Sequence, residues 1–250
     1  MTDETALYDA KESPRKAIEF ARHEVLRLPA RRTVQSYNRA LSGHRKYGQL
    51  AGKFAKRALD LTGASLGLIL LLPLFALIAV AIKSTSRGPV FFLQQRYGLD
   101  GALFTVLKFR TMHLHMCDTS GICQTVHNDP RVTRIGRFLR SSNFDELPQL
   151  INVLKGEMSL VGPRPHVPGM LAAGVPYEMF DTRYMDRHRV RPGITGLAQV
   201  KGFRGETKDR HAARMRLKHD LAYIERQSLS LDVKILTETI VQEFFRRSGY

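Results

Sequence analysis

From Leu61 to Ile82 the chain reads LTGASLGLILLLPLFALIAVAI, without one charged side chain. As a helix this run would extend about 33 Å, enough to cross a hydrocarbon core. The buried helix of a water-soluble domain seldom needs so long an uninterrupted apolar stretch. A cleaved secretory signal is not expected either, because some 60 residues precede the run and no A-x-A-like site follows it. The run therefore predicts a membrane segment.

Its flanks argue against a simple crossing. Arg45, Lys46, Lys53, Lys56 and Arg57 precede it, and Lys83, Arg87, Arg96, Lys108 and Arg110 follow. Basic residues mark the cytoplasmic side, and here both sides are basic. Pro73 near the middle removes one backbone hydrogen bond and kinks or breaks a helix. Two half-helices entering and leaving by one leaflet satisfy both observations, provided protein covers the broken backbone. A spanning helix remains the alternative at this point.

Charge narrows the partners. The 250 residues carry 39 Lys plus Arg against 23 Asp plus Glu, a formal charge of +16. Nucleic acid, acidic lipid and phosphorylated substrates could all answer it. No nucleic-acid reader motif occurs and the basic residues are spread along the chain, so no nucleic-acid partner is expected. Two cysteines cannot make a disulfide framework. The segment Ala21–Leu50 is basic, holding Glu24 as its lone acid, and fits a lipid-facing or solvated N-terminal segment.

Beyond the run, Val90–Gln95 and Ala102–Phe109 predict two short strands around a turn at 98–101. Arg131, Arg134, Arg137 and Arg140 recur every third residue, a cationic stripe on a predicted helix. Leu147, Leu150, Ile151 and Leu154 predict another helix that starts just before Pro148 and stops at Gly156, with Asp145 and Glu146 at its N-terminus. Leu197–Val200 reads as a short strand, and Ala212–Arg226 and Leu231–Arg247 as helices. The last has an apolar stripe that could pack on the core or lie on a membrane surface.

Two patterns carry less weight. Gly63-Ala64-Ser65-Leu66-Gly67 matches a nucleophile elbow, but it lies inside the apolar run, where small residues permit close helix packing. His113, His115, Cys117, Cys123 and His127 lack the paired spacing of a zinc site and read as a loop.

The chemistry gathers around Asp145 and Glu146. A carboxylate can attack phosphorus and form an acyl phosphate, and a neighbouring one can hold Mg²⁺ against substrate phosphates. Arg140, Arg164, Lys108 and Arg110 supply cationic company, with Lys56, Arg57 and Asp60 at the mouth of the apolar run.

Lys56-Arg57-x-x-Asp60, Gly88-Pro89-Val90-Phe91, Gln95-Arg96-x-Gly98, Lys108-Phe109-Arg110-Thr111-Met112 and Asp129-Pro130-Arg131-x-Thr133 stand in that order. Leu147-Pro148-Gln149, Gly156-Glu157-Met158-Ser159, Gly162-Pro163-Arg164-Pro165 and Arg191-Pro192-Gly193-Ile194-Thr195-Gly196 follow. In these motifs the chain resembles the bacterial sugar transferases, the monotopic polyprenyl-phosphate phosphoglycosyltransferases that initiate exopolysaccharide assembly.

The resemblance implies a mixed α/β (α+β) fold. A basic segment over 1–52 precedes a re-entrant membrane helix over 53–87 and a compact cytoplasmic catalytic domain over 88–250, with short strands and amphipathic interfacial helices. It implies transfer of a sugar 1-phosphate from a UDP-sugar to undecaprenyl phosphate at the bacterial inner membrane, with release of UMP. Asp145 would be the nucleophile and Glu146 the Mg²⁺ ligand. Lys56, Arg57, Asp60, Lys108, Arg110, Arg140, Arg164 and Arg191 would be substrate-binding residues. The identity of the sugar and a homo-oligomeric state stay open, and a non-catalytic membrane scaffold of polysaccharide assembly is the alternative function. The break in the family's helix is often Ser-Pro; here Leu72 precedes Pro73.

Overall fold

The computed structural model describes residues 46–116, 129–205 and 207–245. The basic N-terminal segment up to residue 45, and Cys117, Cys123 and His127, lie outside them.

The apolar run forms one helix, α1 (Lys46–Thr85), with Pro73 inside it. Its residues divide between two faces. Leu66, Ile69, Leu70, Leu72, Leu77 and Val80 are exposed, although an uncharged run has every reason to bury them from water. On the opposite face Ala64, Ile78 and Ile82 are buried. Before Pro73, Ala64, Leu68 and Leu71 pack with Val106, Leu150, Val153 and Met158. Beyond it, Leu74, Phe75, Ile78 and Ile82 pack with Phe109 and Leu139. One domain thus follows the helix along both halves. Small residues permit the approach: a Cβ on Gly63 would lie 2.6 Å from Leu160 Cδ1, and one on Gly67 3.2 Å from Leu150 Cδ1. The close-packing reading of these glycines holds, and the nucleophile elbow has no strand or turn to sit on.

The predicted hairpin is present as β1 (Phe91–Tyr97) and β2 (Leu103–Phe109), antiparallel, with Phe92 opposite Lys108 and Arg96 opposite Phe104. Alternation puts Phe92, Gln94 and Arg96 on one face together with Phe104, Val106 and Lys108. Helix α2 (Arg134–Ser141) starts at Thr133, whose Oγ1 accepts from Gly136 N–H at 2.9 Å. It buries Leu139 and leaves Arg134, Arg137 and Phe138 exposed.

Asp145 and Glu146 then sit in a separate 3₁₀ turn, Phe144–Glu146, entered through Asn143 in the left-handed region (φ 56°). Helix α3 (Gln149–Lys155) begins only after Pro148 and ends at Gly156 (φ 83°). The acidic pair is therefore not at the N-terminus of the leucine helix, and side chains rather than a helix dipole must set its electrostatics.

Strand β3 (Ser159–Val161) pairs in parallel with β6 (Gly193–Thr195). Between them lie the small hairpin β4 (Leu171–Ala172) and β5 (Val175–Pro176), helix α4 (Tyr177–Phe180) and a 3₁₀ turn Tyr184–Arg189. The expected strand at 197–200 is instead the helical turn α5 (Leu197–Val200). The strand is the Gly-Ile-Thr just before it, since β3 offers pairing partners only there, and register outweighs the β-propensity of Val200. Two helices close the chain, α6 (Arg210–Arg226) and α7 (Leu229–Phe245). Of the two expectations for α7, packing on the core is met. Leu231, Ile235 and Leu236 pack with Val161 and Tyr223, whereas Val233, Ile240 and Val241 are exposed.

The Gly162 and Gly193 loops cross in close contact: a Cβ on Gly193 would fall 2.1 Å from Gly162 N. Backbone cannot yield as a flexible side chain can. Gly193→Ala should therefore lower stability by about 1–3 kcal/mol, read as a fall in the thermal midpoint of the detergent-solubilised protein. An unchanged midpoint would show that the two loops do not touch as described.

Candidate active site

Lys108, near the end of β2, reaches the acidic turn: its Nζ donates to Glu146 Oε1 at 2.6 Å. Arg164, in the Pro-Arg-Pro loop after β3, grips the same carboxylate with both terminal nitrogens. Nη1 donates to Oε2 at 2.7 Å and Nη2 to Oε1. Such a fork matches carboxylate geometry in a way a lysine cannot. Burial by itself would push the Glu146 pKa up, but Arg164 and Lys108 outweigh it and hold the carboxyl well below its ordinary range.

Asp145 is treated differently. Its side chain is buried, yet among the described residues no hydrogen bond reaches its carboxylate. Burial raises its pKa to about 6; Lys108, and then Arg140 and Arg164, pull the other way, and ionised Glu146 adds to the rise. At neutral pH it is still mostly a carboxylate. Arg140, at the end of α2, holds a buried guanidinium nitrogen (Nη1) with no partner. Two neighbouring acids thus have distinct environments, one clamped and held charged at neutral pH, the other unclamped and desolvated. Such a split separates the tasks two adjacent carboxylates can perform.

The remaining residues named from the sequence have side chains engaged elsewhere. Lys56 Nζ bonds Asp232 Oδ2 (2.8 Å) and Val161 O (3.1 Å), joining α1 to α7 and β3. Arg57 donates to Val153 O (2.7 Å) and Leu154 O (3.0 Å), satisfying carbonyls at the end of α3. Asp60 accepts from Ser159 Oγ and Leu160 N–H, both at 2.9 Å. Arg110 donates to Ser86 O (2.9 Å), Ser86 Oγ (3.0 Å) and Arg87 O, fastening the end of α1 to β2. Arg191 Nε donates to Gly156 O at 2.8 Å. In these contacts Lys56, Arg57, Asp60, Arg110 and Arg191 seat the domain or brace its loops, while Lys108, Arg140 and Arg164 gather at the acidic turn.

Sequence reasoning missed Arg96 as a site residue. It lies on the face of the hairpin that carries Lys108, bonds Pro165 O at 2.7 Å and Gln94 Oε1 at 2.5 Å, and feels the charges of Arg164 and Glu146. Burial, then the Arg164 charge, lowers its pKa to about 10. Strand parity with Lys108 was the signal that could have found it.

The dyad's donors also suit a magnesium ion. Glu146 Oε2 accepts only from Arg164 among the contacts described, leaving one lone-pair direction, and Asp145 stands next to it. Among the described residues no cluster of three or more acidic, His or Cys side chains occurs. Other positions would then fall to water and substrate phosphate, as Mg²⁺ prefers.

The family described as "Bacterial sugar transferase" matches residues 51–246. An undecaprenyl-phosphate glucose phosphotransferase of Komagataeibacter xylinus is 51% identical over 195 residues, covering 78% of this chain and 37% of that protein. The exopolysaccharide production protein PSS of Rhizobium leguminosarum bv. phaseoli is 48% identical over 195 residues, 78% of this chain and 98% of that protein. A UDP-N-acetylgalactosamine-undecaprenyl-phosphate N-acetylgalactosaminephosphotransferase of Aeromonas hydrophila is 43% identical over 193 residues, 75% of this chain and 43% of that protein. The chain thus spans about two fifths of the first and third relatives and nearly all of the second.

Proposed function

The chain belongs to the bacterial sugar transferase family, and on that premise we propose that it moves a sugar 1-phosphate from a UDP-sugar to undecaprenyl phosphate. The observation that carries this reading is the split dyad, with Glu146 gripped by Arg164 and Lys108 and Asp145 unbonded beside it. An Asp145 oxygen attacks the donor's β-phosphorus. The bond from that phosphorus to the bridging oxygen breaks, and UMP departs with the electron pair. The phosphosugar stays on the carboxylate as an acyl phosphate. A phosphate oxygen of the polyprenyl phosphate then attacks the same phosphorus and frees Asp145.

Lys108, Arg140 and Arg164 place positive charge where the phosphoryl oxygens accumulate negative charge. A magnesium ion, held by Glu146, would add charge on the donor's phosphate oxygens. Incubating membranes with a panel of UDP-sugars and undecaprenyl phosphate tests the activity. UMP release is expected with one donor or a few, and the name of the Komagataeibacter xylinus relative makes glucose the first to try. No UMP from any donor would favour a scaffold instead.

The same reading places α1 in the inner membrane with both ends on the cytoplasmic face. The domain follows α1 on both sides of Pro73, which a helix standing across a bilayer would allow only if the domain entered the lipid. The exposed apolar face of α1 is then what meets acyl chains. Single cysteines at Lys53 and Arg87, in a chain with the native cysteines replaced by serine, should both resist an impermeant thiol reagent in intact spheroplasts. Labelling of one end alone would establish a spanning helix.

A further inference from the structure

The loop that carries Arg164 is held from behind through four consecutive carbonyls. Gly193 N–H donates to Pro163 O at 3.0 Å and Tyr97 N–H to His166 O at 2.9 Å. The two carbonyls between them are held by arginine side chains, one buried and one half-buried: Arg187 Nη2 to Arg164 O at 2.8 Å, and Arg96 Nη1 to Pro165 O at 2.7 Å. Arg187 lies in the 3₁₀ turn Tyr184–Arg189 with its side chain 1% exposed. Its Nη2 and Nε bond Asp220 Oδ2 of α6 at 2.7 and 3.2 Å, and its guanidinium carbon lies 5.5 Å from the Tyr184 ring centre.

An ion pair removed this far from water rarely adds stability, because desolvation of both charges offsets their attraction, and well-packed apolar side chains often serve as well. An apolar pair could not hold the Arg164 carbonyl. A lysine could not fork between that carbonyl and Asp220 with one planar group. Here the charge is best explained by the geometry it imposes. The carbonyl it fixes belongs to the residue whose guanidinium grips Glu146 with both nitrogens.

We propose that Arg187, oriented by Asp220, is a positioning residue for phosphosugar transfer that acts through the backbone of Arg164. The inference rests on the functional reading above. A shift of about 1 Å in a group that orients a reacting phosphate can cost about 100-fold in rate.

The test uses the full chain in detergent with UDP-sugar, reading the rate of UMP release. Arg187→Met with Asp220→Leu should keep the thermal midpoint within a few degrees of the wild type while slowing UMP release about 100-fold. In an Arg164→Ala background the same pair of changes should alter the remaining rate by no more than about twofold, since the group they position is gone. Arg187→Lys, which keeps the charge, supplies the same cycle if the apolar pair does not fold. Equal losses in both backgrounds, or a folded apolar variant with wild-type kinetics, would overturn the clamp. A wild type that releases no UMP from any donor would overturn the functional reading, and the clamp with it.

Discussion

Asp145→Asn should lower turnover by on the order of 10⁴-fold or more while the protein stays folded, because it deletes the atom that bonds phosphorus and leaves nothing to replace it. Stability should not suffer. Burial raises the Asp145 pKa to about 6, so its charged form is the one the fold disfavours, and a neutral amide removes that cost above pH 6. The same shift sets a pH dependence. Only the carboxylate attacks, so wild-type kcat/KM should rise as pH passes through about 6 and then level off. A variant with substantial turnover, or a profile that falls as pH increases through that range, would contradict the assignment of the nucleophile.

Glu146→Gln should have the second largest effect, and on two properties together. Its carboxylate takes bonds from Lys108 and Arg164, both partly buried, and the amide would leave two cations without their counter-charge. Losing one member of a buried pair costs about 3 kcal/mol, and misdirecting the phosphate-facing cations should cost about 10²–10³-fold in rate. The wild-type contribution has a definite sign. Glu146 is held well below the ordinary carboxylate range, so its stabilisation is present above the unfolded pKa and fades as pH falls through the folded one. In the glutamine variant that acid-side fall should be absent. EDTA should abolish wild-type activity and added Mg²⁺ restore it; full activity in EDTA would sink the metal assignment.

The local features were legible because they are written in consecutive residues. The apolar run, the hairpin around Gly98-Leu99-Asp100-Gly101, the acidic pair and the Pro-Arg-Pro loop all came from short windows. What pairs across the chain was not legible. Lys56 meets Asp232 176 positions away, Asp60 meets Ser159 99 positions away, and Arg187 meets Asp220 from a different helix. A charged side chain at the mouth of a membrane segment reads equally well as a substrate ligand or as a brace, and only its partner distinguishes the two. The helix start near Pro148 misled for a related reason: the leucine pattern locates α3, but the left-handed Asn143 makes the acids a separate turn. The difference in environment between the acids therefore depends on Arg164, which lies 18 positions from Glu146.

Trapping the phosphosugar on the protein tests the covalent step most directly. Purified full-length chain is mixed with UDP-sugar carrying a labelled β-phosphate, with no lipid acceptor present. A burst of UMP near one per active site is expected, with label retained on the protein. Hydroxylamine should release that label, as it does from acyl phosphates, and the label should be absent in Asp145→Asn. Label that persists in Asp145→Asn would assign the nucleophile to another residue, and UMP release that strictly requires undecaprenyl phosphate would establish a direct transfer from donor to lipid; either result contradicts a phosphosugar carried on Asp145.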